Sequence, residues 1–165
     1  MNVIWIVADT FRRDHLGAYG NQYIRTPSLD ALAAQAVRFQ SHYAGGFPTM
    51  PTRADHATGR WAMSFMRWQP LPDDVETLAQ ILADAGFHTA AVVDTPFYWR
   101  HGMNYDRGFQ TFWTNQGQEG SATRVQQKGH HESRDVKTWW SNEADRNCPR
   151  TMTKAMEWLE LHYKE

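Results

Sequence analysis

The chain has 165 residues, room for one domain or one and a piece, and its 41% hydrophobic and 13% aromatic content is enough for a core, which excludes wholesale disorder. Lys and Arg number 17 against 18 Asp and Glu, a net charge of −1 that argues against nucleic acid as a partner. The single Cys148 excludes an intrachain disulfide and a thiolate zinc cluster, and no apolar run approaches the roughly 20 residues of a membrane-spanning helix.

Residues 3–8 form an apolar run rich in β-branched side chains, which predicts a strand buried on both faces of a parallel sheet. The run is too short for a signal-peptide core and has no basic segment before it, so a cytoplasmic location is expected. It ends at Asp9-Thr10, and residues 11–25 read as a loop. Thr26-Pro27 has the form of a helix start, and the helix it opens places Leu29, Leu32, Ala33 and Ala36 on one face. Residues 37–43 have the composition of a short strand, and residues 44–48 that of a loop. Pro51 predicts a short helix over 51–57, closed by Gly59. A third helix is expected over 75–85, burying Leu78, Ile81, Leu82 and Ala85, with Gly86 terminating it. A second buried strand follows at 89–93 and ends at Asp94. Residues 98–113 read as irregular, and residues 115–147 as a polar excursion with a turn of helix at 136–140. The last segment, 150–162, reads as a helix with Met152, Ala155, Met156 and Leu159 on one side.

Alternating strands and helices argue for an α/β layer fold, in which function collects at the carboxyl ends of strands. Asp9 and Asp94 both fall there. An aspartate directly after a buried strand suits a metal ligand, or equally a turn residue bonding nearby backbone donors. Thr49 lies just before the helix opened by Pro51, where free N–H groups and the dipole favour an anion or an alkoxide. Arg53, one turn on, can aim a planar fork of donors at the same spot. The competing reading makes Thr49 an N-cap and Arg53 a surface ion-pair partner. His130-His131 read as a solvated pair in a loop.

The run Asn2 to Asp9, the segment Asp14-His15-Leu16-Gly17-Ala18-Tyr19-Gly20-Asn21, and Thr26-Pro27-Ser28-Leu29-Asp30-Ala31-Leu32-Ala33 together resemble the opening of the sulfatases. Thr49-x-Pro51-x-Arg53 with Thr58-Gly59-Arg60 stands where sulfatases carry Cys/Ser-x-Pro-x-Arg and Thr-Gly-Arg. Leu82-Ala83-Asp84-Ala85-Gly86-Phe87 and Arg107-Gly108-Phe109 continue the likeness in the right order.

The resemblance implies a mixed, largely parallel sheet flanked by helices, as in the alkaline phosphatase superfamily. It implies the amino-terminal part of a catalytic domain over 1–165: a core over 1–113, an excursion over 114–147, and a helix over 150–162. It makes Asp9 a metal ligand, Thr49 the nucleophile and a metal ligand, and Arg53 the group that steadies nucleophile and anion. Ca²⁺, Mg²⁺ or Mn²⁺ is the expected cofactor, given hard oxygen donors.

The chain departs from the family pattern in four ways. Asp9-Thr10 replaces two adjacent aspartates, so Thr10 becomes the candidate second ligand. Thr49 carries a β-methyl, so oxidation would yield a ketone and formylglycine is not expected. Val93-Asp94-Thr95-Pro96 replaces Gly-Lys-Trp-His, leaving Asp94 as the candidate substrate contact. Sulfatase-like chains are also longer and take further metal ligands from later segments. The expected activity is metal-dependent hydrolysis of small sulfate, phosphate or phosphonate esters. The alternative is a non-catalytic relative holding half a metal site, with an open sheet edge available for self-association.

Overall fold

Proline sets where two of the helices begin. In the computed structural model, which describes residues 2–95, 102–115 and 141–163, helix α1 spans Pro27–Ala33 with Pro27 in its first turn, and α2 spans Thr49–Thr58 with Pro48 as its N-cap. The ring supplies a helix-compatible φ and removes only an N–H that would lack an intrahelical partner there. The chain divides into two compact units, Met1–Tyr43 and Ala44–Glu165.

In the first unit, one-turn helices at Arg13–His15 and Gly17–Tyr19 precede α1. Thr26 does not cap α1 with its side chain. Its hydroxyl instead accepts from the Gly17 N–H at 2.9 Å and donates to Asp30 at 3.1 Å, while Asp30 accepts from the Ala18 N–H at 2.6 Å. These bonds fasten the Gly17 turn to the helix. Tyr19 packs under the guanidinium groups of Arg13 and Arg38, 4.6 and 5.4 Å from its ring centre. The Arg12 guanidinium, and after it His15, holds the Asp14 carboxyl well below the usual carboxylate range.

Two expected strands are absent from this unit. Residues 3–8 run without regular pairing among the described residues and are largely exposed, Ile6 at 68%. Residues 37–43 are likewise unpaired into a sheet, with Val37 at 85%. An apolar, β-branched run favours a strand only where neighbours complete its ladder, and no described segment does so here. For the same reason the apolar side of α1 is open, with Leu29 and Leu32 exposed.

The second unit has its core under α2. Met50, Ala54 and Ala57 recur at i, i+4 and i+7 on one face and meet Ala62, Met66, Leu71, Val75 and Tyr105. Helix α3, Leu78–Asp84, begins later than expected because Thr77 and Gln80 form a capping box. Gln80 N–H donates to the Thr77 hydroxyl at 3.2 Å, and Thr77 N–H to the Gln80 side-chain oxygen at 3.0 Å. Its buried residue is Ala79, while Leu78 and Ile81, expected inside, are exposed. The small side is inside because Gly108 packs directly on the backbone of Ala79 and Gln80.

Residues 102–110 are irregular, as expected, but tightly bonded. Arg107 donates to the carbonyls of Pro72, Asp73 and Val75 at 3.0, 2.8 and 2.8 Å. Asn104, at φ +66°, donates to the Leu71 carbonyl at 2.9 Å and to Asp73 at 2.7 Å. Strand β1, Ala90–Val93, forms as expected but is half-buried rather than fully buried. It pairs in parallel with β2, Thr111–Thr114, in the register Ala90 opposite Thr111. The sequence reading had no strand there, since four residues, Thr-Phe-Trp-Thr, are too few to show a period.

Helix α4, Asn147–His162, begins three residues before the expected start. Its covered side matches the expected one only in part, since Ala155 and Leu159 are partly buried. Met152 and Met156 stay exposed, and Trp158 and His162 instead meet His88, with ring centres 5.5 and 4.8 Å away. The parallel pair with its helices is a partial α/β fold. The proposed turn at 136–140 and His130-His131 lie outside the described residues.

Candidate functional site

Thr49 occupies the first position of α2, not the position before it, because the helix starts two residues ahead of Pro51. Pro51 is tolerated there since its missing N–H is an orphan of the first turn. Thr49 is therefore not the N-cap, and Pro48 cannot cap with a side chain. The preceding loop is held by Thr52, whose hydroxyl donates to the Gly46 carbonyl at 2.6 Å. Gly46 lies so close that a Cβ would come within 2.7 Å of the Pro51 carbonyl carbon.

Arg53 follows Thr49 by one turn. Residues at i and i+4 share a face with Cβ atoms about 5–6 Å apart, and helical side chains lean toward the N-terminus. Thr49 thus stands one turn from Arg53 in the direction in which helical side chains tend to lean. Arg53 is partly buried, with Nε sealed from solvent. The first-turn N–H groups of Thr49 and Met50 open toward the same end, with the positive end of the helix dipole. The arrangement can receive a tetrahedral anion beside a hydroxyl. A charged guanidinium contact is worth about 1.5–3 kcal/mol and the dipole about 0.3–1 kcal/mol, so Arg53 is the larger contributor.

Tyr105 was missed in the sequence. It is 1% exposed and its hydroxyl donates to the Met50 carbonyl at 3.3 Å, under the first turn of α2. Burial pushes its phenol up to about 12, with the Arg53 charge pulling the other way. Its only sequence signal was an aromatic residue three positions before a glycine, inside a stretch with no period.

Asp94 directly follows β1 and is partly buried. Beside that strand end, Asn115 N–H donates to the Val93 carbonyl at 2.8 Å and Asn115 Nδ2 to the Thr151 hydroxyl at 2.9 Å. The structure thus gathers Thr49 and Arg53 on one helix, while Asp94 stands on a different element. Asp9 and Thr10 belong to the first unit and form the turn after the extended run. Thr10 has φ +53°, an uncommon conformation for a β-branched residue.

A hard divalent cation takes six or more oxygen ligands. Among the described residues, no three carboxylate, imidazole or thiolate groups come together to hold one. No helix among them is long and apolar enough to cross a membrane.

The Sulfatase family model matches residues 1–160. Arylsulfatase D of Homo sapiens is 32% identical over 117 residues, which cover 62% of this chain and 19% of that protein. Steryl-sulfatase of Homo sapiens is 33% identical over 105 residues, covering 55% and 18%. Arylsulfatase J of Mus musculus is 35% identical over 123 residues, covering 68% and 20%. The chain thus spans about a fifth of the length of these curated relatives. No solved structure matches significantly.

Proposed function

Because the chain belongs to the sulfatase family, whose fold is alkaline-phosphatase-like, we propose that it carries the nucleophile segment of a hydrolase of small sulfate, phosphate or phosphonate esters. The observation that supports this most is the Thr49–Arg53 pair at the N-terminus of α2, on a helix whose other face is the core. The names of the relatives favour sulfate esters, and an unoxidised threonine favours phosphoesters.

In this reading the Thr49 hydroxyl oxygen attacks sulfur or phosphorus. The bond from that atom to the ester oxygen breaks, and the Thr49 proton ends on the departing alcohol. Water then attacks the same atom of the threonyl ester, restoring the hydroxyl and releasing sulfate, phosphate or the phosphonate. Arg53 and the first-turn N–H groups hold the non-bridging oxygens through both steps. Losing one such donor commonly costs about 10²–10³ in turnover. Formylglycine has no place here: the extra methyl of Thr49 bars an aldehyde hydrate. Asp94 serves as a substrate contact where the family has lysine and histidine.

A divalent metal, Ca²⁺, Mg²⁺ or Mn²⁺, belongs to the reading by family likeness, with Asp9, Thr10 and Thr49 as its donors. The steps above do not pass through it. The second reading is a non-catalytic relative that retains only half of a metal site.

Turnover of an aryl phosphate and an aryl sulfate decides between the two. The proposal expects hydrolysis that Thr49→Ala abolishes, with the phosphate ester at least as good a substrate. It also expects a phosphoryl or sulfuryl group trapped on Thr49 in the mass spectrum of the quenched enzyme. Hydrolysis undiminished in Thr49→Ala would overturn the assignment, and no hydrolysis of either ester would favour the non-catalytic reading.

A further inference from the structure

Beneath the first turn of α2 sits a buried group that the chemistry above does not use. The Tyr105 hydroxyl donates to the carbonyl of Met50, the residue next to Thr49, at 3.3 Å. Tyr105 and Met50 are almost wholly inaccessible, at 1% and 0%. Arg53 lies three residues beyond Met50 on the same helix, and its Nε is also sealed from solvent. The Arg53 charge is felt at the Tyr105 hydroxyl, which is bonded to a carbonyl one helical turn from Arg53.

Tyr105 is itself fixed from both sides. Asn104 is bonded to Leu71 and Asp73, and Arg107 to three carbonyls between Pro72 and Val75. The Thr77 hydroxyl donates to the Arg107 carbonyl at 2.9 Å. A ring in a clasp of that kind cannot drift, and it passes its placement to what it touches.

We infer that Tyr105 is a positioning residue, which fixes the Arg53 guanidinium and the first turn of α2 relative to each other so that Thr49 meets a held anion. The inference rests on the reading of Thr49 as a nucleophile for its catalytic consequence, though not for the placement of Arg53.

The test uses Tyr105→Phe in the whole chain, which keeps the ring and removes the hydroxyl. In ¹⁵N-labelled protein the Arg53 Nε–H signal is expected to move, and its exchange with solvent to accelerate about tenfold or more. In the ester assay, kcat is expected to fall about tenfold with KM little changed, as for an interaction that orients rather than binds. With Arg53→Ala already present, Tyr105→Phe is expected to cost nothing further. An unchanged Arg53 Nε–H signal overturns the inference, as does a loss that adds in full on Arg53→Ala.

If the unsubstituted chain hydrolyses neither ester, the function proposed above fails, and the Arg53 signal alone decides the role of Tyr105. If Tyr105→Phe does not fold, 3-fluorotyrosine at position 105 keeps the packing and lowers the phenol pKa. The Arg53 Nε–H signal should then titrate at lower pH than in the parent, and an identical profile overturns the inference.

Discussion

Gly108→Ala tests the clasp between residues 102–110 and α3 most sharply. Gly108 has φ +87°, and a Cβ there would lie 2.2 Å from the Gln80 nitrogen, 2.5 Å from the Ala79 carbonyl carbon and 2.6 Å from the Gln80 Cα. All three are backbone atoms of a helix turn, so no side chain can swing away. Ordinary contact begins at 3.4 Å, so the helix and the loop must separate by more than an ångström. The left-handed conformation alone costs an alanine about 1–2 kcal/mol. Forced overpacking adds about 1–3 kcal/mol, and here the upper end applies because backbone must move. The separation also threatens the Thr77–Arg107 bond and the capping box. A total near 4 kcal/mol is expected, about 10 °C in Tm for a chain of this size. Gly102→Ala is the control: it has the same φ of +87° but nothing within 4 Å of its Cβ, so it should lose only the conformational 1–2 kcal/mol. Urea denaturation of both variants measures the difference. Equal destabilisation would refute the close packing of Gly108 on α3.

Tyr105 gives a pH prediction. Its folded pKa, near 12, lies above the unfolded value of 10, so the folded state holds the proton more tightly. Stability should be flat below pH 10 and fall by up to about 2–3 kcal/mol as pH rises to 12. Tyr105→Phe should abolish that component of the slope, and the same slope in the variant would contradict it. Thr77→Ala removes a helix cap and the bond to the Arg107 carbonyl, for an expected loss of about 1–3 kcal/mol by thermal melting, with a loss under 0.5 kcal/mol counting against both bonds. Calorimetric titration of Ca²⁺ and Mn²⁺ into this chain should give dissociation constants no tighter than about 10⁻⁴ M, as for a site short of charged ligands. Micromolar affinity would mean that other groups complete the site.

Local chemistry was the legible part of the fold. Pro27, Gly59 and Gly86 marked helix ends because proline and glycine act through their own backbone, whatever surrounds them. The one-turn spacing of Thr49 and Arg53 could be read for the same reason, although Thr49 stands inside the helix and not, as expected, before it. What failed depended on distant partners. Residues 3–8 have the composition of a buried strand yet lie exposed, because composition cannot supply the adjoining ladder. Helix α3 turned Ala79 inward instead of Leu78 and Ile81 because Gly108, 29 positions along the chain, approaches its backbone closely. Tyr105 escaped notice because its meaning lies in Met50 and Arg53, which no local pattern connects to it.

Pro48 and Pro51 bracket Thr49 and Met50. Ring closure restricts φ at both prolines in the unfolded chain as well as the folded one. The denatured ensemble of this stretch is therefore narrower, and each compatible proline spares about 0.4–1 kcal/mol of ordering entropy. One local preference opposes this, because a residue before proline is pushed away from the helical region and Met50 is helical. The buried Met50 side chain and the Tyr105 bond to its carbonyl hold it there against that preference. The turn bearing the Thr49 hydroxyl thus starts with few conformations to lose, and the packing beneath it corrects the one backbone angle that the rings set wrongly.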